Sequence, residues 1–173
     1  MNTKRKPLKV NTMKYPPIRA LFICLEPYAR PLNDMTAPEV LRDEGRFTNF
    51  IRALDVSGVG DMLEKKGPYT VFAPGDEVFN EHNIGALTST YRLMDYLNNF
   101  IVPGKYMLED IERLQVLQTV GGHPLIVTFR DGVEVSGASI IKPNVPYNNG
   151  VIHEIDMPLD SDNLAIKGRT GKY

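Results

Sequence analysis

The chain has 173 residues and a mass of 19.4 kDa, with 42% apolar and 24% charged residues, which suits one domain of ordinary size with a solvated surface. No apolar run approaches the roughly 20 residues that cross a bilayer, so a transmembrane chain is excluded together with collagen-like and fully disordered ones. A single cysteine, Cys24, excludes an internal disulfide and a zinc-finger frame.

The formal charge of −1 conceals a strong asymmetry. Residues 1–30 carry seven Lys or Arg against Glu26 alone, a net +6, and residues 161–173 carry a net +2. The intervening 31–160 carries 10 basic and 19 acidic residues, a net −9. Such a body repels phosphate and argues against a nucleic-acid partner, while the basic arm is suited to an anionic membrane surface or an acidic partner. A secretory signal is not expected at the start. Pro16, Pro17 and Arg19 interrupt it, and the apolar piece Ala20–Leu25 is shorter than an ordinary h-region of about 7–15 residues.

Taken in chain order, residues 1–35 hold five prolines and predict an irregular arm. Thr36-Ala37-Pro38-Glu39 reads as a capping box with proline in the first turn. Phe47, Phe50, Ile51 and Leu54 then share one helical face, broken at Ser57-Gly58. Val59, Met62 and Leu63 predict a further short helix, stopped by Gly67-Pro68. Tyr69-Thr70-Val71-Phe72 predicts a strand. Ala73-Pro74-Gly75-Asp76 predicts a turn in which Asp76 caps a short helix carrying Val78 and Phe79. From about Ser89 a longer helix is predicted to bury Leu93, Tyr96, Leu97, Phe100 and Ile101 and to end at Pro103-Gly104. Leu108 to Leu114 predicts one more short helix.

After Gln115 the pattern alternates, predicting strands at 115–120, 124–130 and 133–136 joined by Gly121-Gly122 and Asp131-Gly132 turns. Asn148-Asn149-Gly150 predicts a third turn, with Gly150 at a positive-φ corner, leading into the strand Val151–Ile155. Helices first and strands second make the fold class α+β. The domain is expected over 36–160, between an arm at 1–35 and a tail at 161–173.

No catalytic constellation is legible. His82, His123 and His153 stand apart, no His-x-x-x-His frame is present, and no nucleophile elbow, phosphate loop or dinucleotide fingerprint occurs. His153 alternates with Val151 and Ile155 and reads as a core histidine with its hydrogen bonds satisfied. Cys24 reads as a packing residue. Neither a metal nor a cofactor is expected. The tyrosines and the dispersed Met13, Met35, Met62, Met94 and Met107 could line an apolar surface for a small ligand or a partner.

Gly67-Pro68-Tyr69-Thr70-Val71-Phe72-Ala73-Pro74, continuing to Asp76 and Phe79, resembles the first signature of fasciclin domains. Asn149-Gly150-Val151-Ile152-His153-Glu154-Ile155-Asp156, followed by Leu159, resembles the second, and Ile101–Tyr106 is similar to the central segment between them. The resemblance implies a fasciclin-type β-wedge or sandwich of two small sheets with several packed helices. Its signature positions are Thr70, Val71, Phe72, Pro74, Asp76, Gly150, His153 and Asp156. It implies a non-enzymatic module for adhesion or protein interaction, secreted, periplasmic or at the cell surface, whose partner is a protein or a carbohydrate. Carriage of a small apolar ligand such as a carotenoid is the alternative. Gly75 and Asp76 replace the Ser or Thr and Asn usual in the family. The central tyrosine–histidine pair linked to adhesion corresponds here to Asn99 and Phe100, which with Tyr106 are the interaction candidates.

Overall fold

The computed structural model describes residues 31–80 and 89–159. The basic arm before Pro31, Cys24, His82 and the tail beyond Leu159, with the expectations placed on them, lie outside those residues. Regular structure begins earlier than Thr36, with a 3-10 turn at Leu32–Asp34. Glu39 Oε2 then accepts the Thr36 N–H at 2.8 Å and starts helix α1, Ala37–Glu44. Gly45, at φ 69°, ends it in the left-handed conformation that glycine adopts without penalty. Helix α2, Thr48–Ser57, buries Phe50, Ile51, Ala53 and Leu54. Helix α3, Val59–Lys65, follows after Gly58.

Strand β1, Tyr69–Pro74, comes next. Helix α4 spans Thr90–Leu97, its first turn closed by the Ser89 hydroxyl accepting the Arg92 N–H. The sequence predicts this helix as far as Pro103, but it tightens into a 3-10 turn at Asn98–Phe100 and becomes strand β2, Ile101–Pro103. The β-branched Ile101 and Val102 find a better partner in β1, with Val71 opposite Ile101 and Tyr69 opposite Pro103, than in another helical turn. A single turn, α5, covers Leu108–Ile111. The remaining strands are β3 Val116–Gln118, β4 Pro124–Phe129, β5 Val133–Val135, β6 Ala138–Tyr147 and β7 Gly150–Ile155.

The seven strands pair in the continuous order β2-β1-β7-β6-β5-β4-β3. Strand β6 is shared: Ala138 and Ser139 pair with β5, whereas Ile140 to Tyr147 pair with β7 across irregularities between Ile140 and Val145. Bulges of this kind bend a strand, and here they turn one pairing series into two halves. Beyond β3, the Val120 N–H donates to the Ile101 carbonyl of β2 at 2.8 Å, so the series nearly closes on itself. The fold is α+β.

Of the described strands only β1 and β7 run parallel, with Tyr69 opposite Gly150 and Pro74 opposite Ile155. Every residue of β7 is buried. Parallel strands tolerate this because both faces are covered. Packed with them is an aromatic group in which the Phe50 ring meets Phe79 and Phe100 edge-on at 5.5 and 5.7 Å, and Tyr96 meets Phe100 at 5.2 Å. Among the described residues no helix is long and apolar enough to cross a membrane.

Candidate functional site

The two ends of the parallel pair have opposite characters. At the start, Gly150 lies so close to β1 that a Cβ there would fall inside the van der Waals surface of the Tyr69 carbonyl oxygen. The sequence assigns Gly150 a positive-φ corner, but its backbone is not left-handed, and what excludes a side chain is this close approach. The Tyr147 hydroxyl donates to the same Tyr69 carbonyl at 3.0 Å, and burial raises its phenol well above the ordinary tyrosine range.

At the other end, just past the last paired residues Pro74 and Ile155, a cleft of about 420 Å³ opens. It is lined by Gly45 and Arg46 from the α1–α2 link, Gly75 to Val78 after β1, Ile141 on β6, and Glu154, Ile155 and Asp156 on β7 and just beyond it. The sequence predicts that Asp76 caps a helix of its own. No helix forms there: the Val78 and Phe79 amides both bond back to the Gly75 carbonyl in a single turn. Asp76 instead reaches a helix that precedes it in the chain. Its carboxylate oxygens accept the Thr48 and Asn49 N–H groups at 2.9 and 2.8 Å, the first amides of α2, whose own N-cap, Phe47, has no side chain able to do so. The Asp76 N–H donates to the Arg46 carbonyl at 2.9 Å, so one residue clamps this link from both sides.

Across the cleft, Arg46 Nη2 lies 2.9 Å from Glu154 Oε2 and 3.4 Å from Glu44 Oε2. Glu154 is 7% exposed and Arg46 54% exposed, so the pair is wet on one side only. Lys142, at the β6 irregularity, donates to both Glu44 oxygens at 2.7 Å. That ammonium, with Arg46 adding to it, holds the Glu44 carboxyl below its usual pKa against a smaller burial penalty. Asp156 Oδ1 accepts the Ser139 N–H at 2.7 Å, and the Asp156 N–H donates to the Ser139 carbonyl, fastening the end of β7 to the start of β6.

The structure therefore brings Asp76 and Asp156 to one cleft and leaves the other sequence candidates, Tyr106 apart, in the interior. Val71, Phe72, Thr70 and His153 are fully buried on β1 and β7, with Pro74 ending β1. The Thr70 hydroxyl donates to the Gly104 carbonyl and accepts the Tyr106 N–H, while His153 bonds the Tyr106 carbonyl. Asn99 and Phe100 are 4% and 0% exposed, so as interaction candidates they meet a partner only if the core opens; they are packing residues in this fold. Tyr106 is half-buried, its ring lying over Gly104. Sequence reasoning does not single out Arg46, Ile141 or Glu154 as site residues. Of these only Glu154 carries a local signal, a carboxylate in a strand whose other residues are apolar except His153.

Chemically the cleft offers carboxylates and an exposed guanidinium beside apolar Val78, Ile141 and Ile155. Asp76 and Asp156 are engaged by backbone amides and Glu154 by Arg46, which fixes these three carboxylates in place, while Glu77 carries none of these bonds. Among the described residues no group of three or more His, Cys, Asp or Glu could hold a metal ion.

The family profile described as "Fasciclin domain" matches residues 45–161. The chain is 33% identical over 122 residues to the protein sll1735 of Synechocystis sp., covering 68% of this chain and 92% of that one. It is 24% identical over 185 residues to a protein named heme ligase from Plasmodium falciparum, covering 90% and 89% of the two chains. Among solved structures, a FAS1 domain pair from the insect cell adhesion molecule fasciclin I superposes with a TM-score of 0.59 at 17% identity, over 76% of this chain and 53% of that one. The chain belongs to the fasciclin domain family.

Proposed function

We propose that the protein is a non-enzymatic adhesion or protein-interaction module that meets a surface or matrix partner through the cleft at the open end of β1 and β7. The observation that carries this reading is the convergence of both motif strands on one recess whose charged groups are held rigidly by backbone amides and Arg46. Rigid, pre-positioned polar groups around an apolar floor lower the ordering cost of binding, as interfaces require. A location outside the cytoplasm or at the cell surface goes with this reading. The test is attachment of the full chain to cells or matrix extracts. Capture at micromolar concentration is expected, with at least a tenfold loss in Ile141→Asp and Glu77→Lys, whose side chains carry none of the structural bonds described above. Attachment unchanged in both variants removes the cleft from the reading.

Small-ligand carriage is the second reading, favoured by the volume of the cleft, which falls within the ordinary range of about 300–1,000 Å³ for small-molecule sites. A visible absorption band in protein purified from its natural host supports it, and a colourless preparation removes the carotenoid form. The heme chemistry named for the Plasmodium relative finds no support at His153, because both ring nitrogens are already bonded to the backbone.

A further inference from the structure

His153 is fully buried on β7, its ring stacked on Phe72 with centroids 5.7 Å apart. A backbone amide can only donate, so Nδ1, 3.3 Å from the Asn144 nitrogen, must present its lone pair. The proton therefore resides on Nε2, which donates to the Tyr106 carbonyl at 2.8 Å. Asn144 is itself unusual. It stands at φ 61° within the irregular stretch of β6, a conformation uncommon for any residue but glycine, and its Oδ1 accepts the Leu108 N–H at 2.8 Å. The amide of Asn144 is thus held by His153, and its side chain holds the first residue of α5. A separate bond, the Tyr106 N–H to Thr70 Oγ1 at 2.9 Å, ties the neighbouring segment to β1 and contains no group that titrates near neutrality.

We propose that His153 is an acid-sensitive catch: a proton on Nδ1 turns the acceptor into a donor facing the Asn144 N–H, and the β6 bulge and the start of α5 then open together while β1 and helices α1 to α4 stay folded.

The charges around the ring permit such a titration. β1 supplies the Phe72 face and no charge. Before and within α5, Lys105 and Glu109 are exposed, Glu109 drawing the proton weakly, and Asp110 accepts the Met107 N–H. On β6, Lys142 is engaged by Glu44, and on β7, Glu154 is engaged by Arg46. Burial outweighs these attractions and holds the imidazole below its ordinary value of 6.5, so neutral pH leaves the catch closed.

Amide hydrogen exchange on the full chain by NMR tests this, with rates corrected for the intrinsic effect of pH. Between pH 7 and pH 5 the protection of Asn144 and Leu108 should fall by up to about tenfold per pH unit once titration begins, the limit for one linked proton. Tyr106, held by Thr70, and Ile51, bonded to the Phe47 carbonyl, should keep theirs. In His153→Gln, whose side-chain oxygen can accept the same N–H without titrating, protection should be independent of pH. Unchanged protection of Asn144 in the wild-type chain, an equal fall in the variant, or simultaneous loss at all four amides would each overturn the proposal. Should the variant not fold, the ¹⁵N shifts of the wild-type imidazole decide. Nδ1 protonation and loss of Asn144 protection must share one midpoint, and separate midpoints refute the catch.

Discussion

The two ends of the β1–β7 pair are built from the same two motifs, yet one is closed and the other open. At Tyr69–Gly150 the backbones touch, a side chain is excluded, and Tyr147 seals the contact. At Pro74–Ile155 the chain continues into charged turns, and Asp76, Arg46 and Glu154 stand around a recess. The closed end sets the register of the sheet, since slipping β7 by one residue would bring a side chain into the Tyr69 carbonyl. The open end is free to carry recognition because register has already been fixed elsewhere. A motif can thus set the register at one end and, in the proposed reading, carry recognition at the other.

The sharpest way to break this comparison is Gly150→Val. Its branched side chain would meet backbone rather than a movable neighbour, and unfolding in urea should show a loss of about 3 kcal/mol or more, with Gly150→Ala also strongly destabilised. At the open end Asp76→Ala should cost about 1–2 kcal/mol, the ordinary worth of a helix cap, although Asp76 lies outside the helix it caps. A midpoint unchanged from wild type would mean that water replaces the carboxylate. Tyr147→Phe should cost about 1 kcal/mol through one lost hydrogen bond to a buried carbonyl. Replacing Lys65, whose pair with Asp61 is exposed on both sides, should change stability by less than about 0.5 kcal/mol.

Acid should sharpen the contrast further. A histidine whose folded pKa is depressed contributes stability that is complete above its unfolded value of 6.5 and is lost as pH falls through the folded one. Glu44, also depressed, follows the same sign lower on the scale: its contribution is complete above 4.5 and disappears as pH falls through its lowered value. Stability measured from pH 7.5 down to pH 3 should therefore begin to decline below 6.5 through His153, with a further contribution lost below 4.5 through Glu44. His153→Gln should remove the first and Lys142→Met should flatten the second.

Much of the fold is legible in the sequence because its signals are local. The helix break at Ser57-Gly58, the alternation after Gln115 and the β-rich Tyr69–Phe72 depend on near neighbours alone. The helix assigned through Ile101 fails for the complementary reason: apolar spacing is compatible with continued helix, and only the presence of β1 alongside makes Ile101–Pro103 a strand. Gly150 is recognisable as a special position, but the reason lies in Tyr69, which no local rule connects to it. Asp76 reads as a cap, and is one, for a helix that begins at Thr48. The cleft is the least legible part, since Arg46, Glu77, Ile141 and Asp156 come from four separate stretches that meet only in three dimensions.

The parallel pairing also constrains how the chain acquires its shape. Tyr69 waits for Gly150, so β1 has only the short β2 beside it until nearly the whole domain has been synthesised. Contacts of such long sequence separation form slowly, and a ribosome-bound chain ending before Gly150 would present one edge of β1 to whatever is nearby. The final strand is thus the one that protects the first, and a truncation at residue 149 should leave an aggregation-prone chain rather than a smaller folded domain.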